Sequence, residues 1–127
     1  LAVLQQAKTL VVDGNLDTKA LHYIAEHKGN ALLAADMVST SKAIRFVGIL
    51  PAIDIVKCTA AEAASLTDLP EDAPPDTLCD ALQDKGIGTI LLSLGAEGFI
   101  LANRAALRLQ LQVDGVMAVF SGRFFRP

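Results

Sequence analysis

Ser93, Gly95 and Gly98 lie in the segment GIGTILLSLGAEGFILA, Gly86 to Ala102, between two apolar runs of strand length. A hydroxyl followed by two glycines lets backbone come close to a phosphate and offer it amide and hydroxyl donors. The same S-x-G-x-x-G spacing also serves a tight turn between strands. It is neither a Walker A loop, which requires Gly-Lys-Ser/Thr, nor a dinucleotide fingerprint, which opens a long helix. Asp13, Asn15, Asp36 and Lys57 each stand at or just after the end of another apolar run. If those runs are parallel strands, their C-terminal ends line up along one rim, where α/β sheets bind ligands.

Each of these residues has a second reading. Asp13-Gly14-Asn15 is also an ordinary turn leading into a helix near Asp17, with Gly14 supplying a backbone conformation that a branched residue resists. Asp36 competes between a capping role and a polar contact to substrate or metal. Lys42 either reaches an anion at the rim or forms the wet side of a short helix. Glu62, three residues after Thr59, completes a capping box, and it meets a divalent ion, directly or through water, only if its helix starts at the rim. His22 and His27 are five apart and do not share a helix face, and Cys58 and Cys79 lack the short spacings that close a zinc site.

The elements that must position these groups follow from apolar runs alternating with helix-like stretches. Strands are predicted at Lys8–Val12, Ala31–Ala35 and Ile53–Lys57, and helices at about Asp17–His27, Thr40–Val47 after Ser39 or Thr40, Thr59 through Leu66, and Thr77–Gln83. The proline-rich acidic stretch Thr67–Asp76 reads as a loop. The glycine-centred pair of strands follows, and then Leu107–Val113, whose alternation of Leu or Val with Arg or Gln predicts an edge strand with one wet face. The early strands lack such alternation, which predicts helices on both faces of a parallel sheet.

With 127 residues the chain is sized for one domain over positions 1–127. Its 52% apolar content exceeds the globular average, which fits a piece cut from a larger body. Eleven Lys+Arg against 14 Asp+Glu give a net charge of -3 with no basic stripe, so nucleic acid and anionic membrane are not expected partners. No apolar stretch reaches spanning length and the start lacks a charged leader, so a reduced, cytoplasmic chain is expected.

In order along the chain, DGNL (Asp13–Leu16), DMVSTSKA (Asp36–Ala43), KCTAAEAASLT (Lys57–Thr67) and LLSLGAEGFIL (Leu91–Leu101) resemble successive motifs of the PfkB/ribokinase-like carbohydrate kinases. DGNL and D-x-V-S-x-x-K-A most resemble the pseudouridine kinase branch. The resemblance covers about Thr9–Leu101 and implies a partial ribokinase-like three-layer α/β fold, with a mainly parallel central sheet and an antiparallel element near the C-terminus. It implies transfer of the ATP γ-phosphoryl, with Mg2+, to a hydroxyl of a sugar or nucleoside. It places Asp13, Asn15, Asp36, Lys42 and Lys57 in a substrate and phosphate cleft, Ser93, Gly95 and Gly98 at the nucleotide, and Glu62 at magnesium.

The chain also departs from that pattern. Met37 stands where the family has proline, and Lys57-Cys58-Thr59-Ala60 where it has Lys-Pro-Asn-Arg. The family's Gly-Ala-Gly-Asp, which supplies an anion hole and the base, has no counterpart in VDGVMAVFSGRFFRP, so no catalytic base is assigned. Loss of a general base costs roughly 10²–10⁴ in rate. The expectation is therefore a fragment or degenerate copy of such a kinase, inactive alone, without the front of the fold and its lid and with an atypical tail at 114–127. The alternative is a catalytically inactive structural or self-association domain, homodimeric through Phe120, Phe124 and Phe125. A third class is a nucleotide-binding enzyme completed by a partner chain.

Overall fold

The computed structural model describes residues 2–104 and 108–111. Six strands alternate with helices: α1 (Ala2–Gln6), β1 (Thr9–Asp13), α2 (Thr18–His27), β2 (Leu32–Asp36), α3 (Thr40–Ala43), β3 (Ile55–Thr59), α4 (Ala60–Thr67), α5 (Pro75–Asp84), β4 (Thr89–Ser93), β5 (Phe99–Ala102) and β6 (Arg108–Leu111). The strands lie in sequence order across one sheet, β1 to β4 parallel and β5 and β6 antiparallel. The fold class is the expected one, α/β with a mainly parallel sheet and an antiparallel pair near the C-terminus, and β6 takes the expected edge position. The alternation read over Leu107–Val113 extends beyond the described residues, as do residues 114–127.

The helices start where the chain supplies a cap. Asp17 accepts from Ala20 N at 2.8 Å to open α2, and Ser39 accepts from Lys42 N at 3.2 Å to open α3. Thr59 and Glu62 form a reciprocal capping box at α4. α5 begins earlier than predicted, at Pro75, because proline at the first helical position gives up only an N–H that the helix would leave unpaired. The helix predicted over Thr40–Val47 stays α-helical only to Ala43 and tightens into a 3-10 segment, Ile44–Ala52. Pro51 cannot donate within it, and Gly48 brings the segment against the His22 ring, where a Cβ would sit 2.5 Å from Cε1.

One face of the sheet is packed. Val12, Leu33, Ala35, Val56, Cys58, Ile90 and Leu92 are buried there, beneath Leu21, Phe46 and Leu50 and the α5 residues Leu78 and Leu82, in one apolar cluster. The helices form a single layer, α1 touching α2, α2 the 3-10 segment, α3 and the 3-10 segment α4, and α4 α5. The opposite face is open among the described residues: Val11 is 79%, Leu32 50% and Ile55 40% exposed. Helices therefore cover one face, not the predicted two. A chain that adds each parallel strand on the same side of the last, with connections of one hand, carries every crossover over the same face.

Candidate functional site

The strand register assembles the polar residues. Asp13 pairs with Asp36, and Asp36 with Lys57, so these three side chains form one row across β1, β2 and β3 near their C-terminal ends. Successive residues of a strand point to opposite faces, and the alternate neighbours Val12, Ala35, Val56 and Cys58 are buried under the helices. The row therefore stands on the open face. One residue position beyond β3's Cys58, Thr59 pairs with Ser93, which pairs with Phe99 on β5. Each strand runs one or two residues past the end predicted for it, so that Asp13, Asp36 and Thr59 are its last paired residues.

Within the row, Lys57 Nζ lies 3.8 Å from Asp36 Oδ2, both side chains half exposed. The other oxygens hold the loops: Asp13 Oδ1 accepts from Asn15 N at 2.8 Å, and Asp36 Oδ1 from Val38 N at 3.0 Å. Two carboxylates and one ammonium leave the row acidic, suited to accept hydrogen bonds from hydroxyls beside a single fixed cation.

The loops after β1 and β2 are fastened to one another. Lys42 Nζ donates to Asn15 Oδ1, and Arg45 Nη1 donates to Gly14 O at 2.7 Å and to Leu16 O at 3.3 Å. Lys42 is thus neither a free anion ligand nor an unengaged wet-face residue. Gly14 N donates to Asp36 O at 2.9 Å, and a Cβ on Gly14 would lie 2.4 Å from Met37 O and 2.9 Å from Lys42 Cβ. Close approach is what requires glycine here, since Gly14 is not among the positive-φ residues. Val38 does have a positive φ, 71°, a strained conformation for a β-branched residue that the Asp36 carboxylate holds in place. Arg45 and Val38 were missed in the sequence. Arg45 follows Lys42 by three positions on one helical turn, and that spacing was the available signal.

The β4–β5 connection lies at the same end of the sheet. It is a 3-10 turn, Gly95–Glu97, closed by Leu94 N to Gly98 O at 2.7 Å and Gly98 N to Gly95 O at 3.2 Å. Gly95 (φ 63°) has nothing within 4 Å of where a Cβ would stand, and Gly98 (φ 92°, ψ -133°) occupies backbone space open to glycine. The turn therefore presents bare backbone that a ligand can approach, beside Ser93, whose hydroxyl has no hydrogen bond among the described residues. These features fit a nucleotide's phosphates.

Glu62 behaves differently. It is 6% exposed, and its Oε1 accepts from Thr59 N at 3.0 Å within the capping box. No group of three His, Cys, Asp or Glu side chains forms a metal-sized cluster among the described residues. The residues present do not fit direct coordination of magnesium. Burial, with the Glu62 charge adding to it, pushes the neighbouring Cys58 thiol far above its ordinary range, so Cys58 is core packing and not a nucleophile.

The polar row is an open shelf. Enclosed space occurs elsewhere, including a cavity of about 360 Å³ lined by Lys8, His27, Lys28 and Asn30 at the opposite end of the strands. The shelf is the better candidate because it gathers the polar side chains at the C-terminal strand ends, whereas Lys28 in that cavity is already engaged with Ala31 O and Asp54.

No family model matches the chain, and no curated protein matches it in sequence. Solved structures match it in fold. A protein assigned as a sugar kinase from Clostridium perfringens superposes with a TM-score of 0.76 at 22% identity, over 87% of this chain and 36% of its own. A carbohydrate kinase from Agrobacterium tumefaciens gives 0.70 at 25% identity, covering 87% and 34%. Arabidopsis thaliana ribokinase, solved with ribose and ATP, gives 0.70 at 15%, covering 89% and 37%. The chain has the PfkB/ribokinase-like carbohydrate kinase fold and spans about a third of the length of these structures.

Proposed function

We propose that these residues form part of an ATP-dependent kinase acting on a hydroxyl of a sugar or nucleoside. The observation that carries the reading is the registered row Asp13, Asp36 and Lys57, with the bare glycine turn at the same sheet end, on a fold whose solved counterparts include a ribokinase holding ribose and ATP. Asp13 and Asp36 accept from acceptor hydroxyls. Lys57, steadied by Asp36, offers the positive charge that a transferring phosphoryl group needs. Asn15 and Lys42 hold the first loop against the second, and Gly95, Gly98 and Ser93 face the nucleotide. Bound ATP supplies the phosphoryl group; magnesium belongs to the complete enzyme's chemistry, and Glu62 acts in this chain as a cap. Within the class, DGNL and D-x-V-S-x-x-K-A support a pseudouridine-like acceptor and a cytoplasmic enzyme.

Calorimetric titration of the 127-residue chain with ATP and magnesium tests the reading. Saturable binding that weakens at least tenfold in Gly98→Ala and in Ser93→Ala, each with an unchanged far-UV spectrum, supports it. Absence of binding, or binding indifferent to both substitutions, overturns it.

A further inference from the structure

β1 is a terminal strand, and among the described residues only β2 pairs with it. Lys8 O accepts from Leu32 N and Gly14 N donates to Asp36 O, each at 2.9 Å, so the even-numbered backbone groups of this segment face β2. Alternation turns the N–H and C=O of Thr9 and Val11, and the N–H of Asp13, toward the outer edge. Asp13 O already accepts from Leu16 N at 3.2 Å. Edge strands in soluble proteins are ordinarily blunted by proline, by lysine or by a bulge. TLVVD carries none of these, and its central side chain, Val11, is 79% exposed.

We propose that this edge is an interface for a second copy of the chain, β1 pairing antiparallel with β1 about a two-fold axis through Val11. The strand is self-complementary in that register. Val11 exchanges both backbone hydrogen bonds with Val11 of the other copy, and Asp13 N–H meets the C=O of Thr9 across the axis. Thr9, Val11 and Asp13 share the open face, so the Thr9 hydroxyl comes beside the opposite Asp13 carboxylate while the two Val11 side chains pack together. The two Asp13 carboxylates end up about 13 Å apart, four residue rises along the strands, beyond the screening length at physiological salt. A symmetric pairing of this kind closes at two copies, whereas β1 joined to another molecule's β6 would propagate. The proposal does not depend on nucleotide binding.

Light scattering on the full chain should give twice the 13.4 kDa chain mass, falling to one chain mass in Val11→Lys and in Val11→Pro with the far-UV spectrum retained. Proline is tolerated there because the Val11 N–H has no partner within the chain. The register has its own readout under mild oxidation. Val11→Cys should cross-link into a disulfide dimer, since facing hydrogen-bonded residues bring their Cα atoms about 5.5 Å apart, whereas Thr9→Cys should not. A single-chain mass at every concentration, open-ended growth, a dimer indifferent to both Val11 substitutions, or cross-linking through Thr9→Cys in place of Val11→Cys each overturns it. The first of these leaves the edge to a polypeptide of different sequence.

Discussion

The two faces of the sheet are built from nearly the same residue types and do different things. On β2, Leu33 is fully buried under the helices while its neighbour Leu32 is half exposed. On β3, Val56 is buried and Ile55 is 40% exposed. The packed face holds the fold together. The open face carries Asp13, Asp36 and Lys57 among apolar neighbours, so a rigid layer on one side leaves the other free to bind. Rigidity and function are divided between alternate residues of the same strands.

The sharpest way to break this comparison is to truncate the adjacent leucines separately. Leu33→Ala should destabilise the chain by about 2–5 kcal/mol through lost burial and a residual cavity, whereas Leu32→Ala should stay within about 0.5 kcal/mol. Urea unfolding reads both, and equal losses would mean that the open face is in fact covered. Thr59→Ala tests whether the rim is fixed from beneath. Removing half of the capping box should cost about 0.5–2 kcal/mol of stability in the same assay. An unchanged midpoint would show that the box contributes nothing. The smallest effect should be a gain: Val38→Asn relieves a left-handed conformation that costs an L-residue roughly 1–2 kcal/mol, and asparagine tolerates it. A small rise in melting temperature is expected; a fall would mean that the half-exposed Val38 side chain is held by packing.

Much of the fold was legible because strand-length apolar runs were separated by recognisable caps at Asp17, Ser39 and Thr59. The convergence of Asp13, Asp36 and Lys57 was also legible, since it needs only parallel strands in sequence order. Strand ends were read short because a charged residue looks like the start of a loop, yet Asp13 and Asp36 still pair in the ladder. The open face was not legible: Val11, Leu32 and Ile55 are as apolar as the core, so hydropathy does not separate a covered face from an uncovered one. The Lys42–Asn15 contact was hidden by 27 intervening positions, and the strain at Val38 by the fact that valine gives no sign of positive φ. The change from α-helix to 3-10 geometry depends on how closely Gly48 meets His22, which is a tertiary fact.

The strands stand in space in the order in which they occur in the chain. Thr9 pairs 23 positions ahead with Leu32, Ile55 34 ahead with Thr89, and Ile90 only 12 ahead with Ala102. During synthesis each new strand therefore finds its template already made, and none has to insert between two earlier ones. Growth of this kind is an accretion from one border, with loop-closure costs met one unit at a time. An interruption of elongation would shorten the sheet at its growing border and leave the earlier pairings in place.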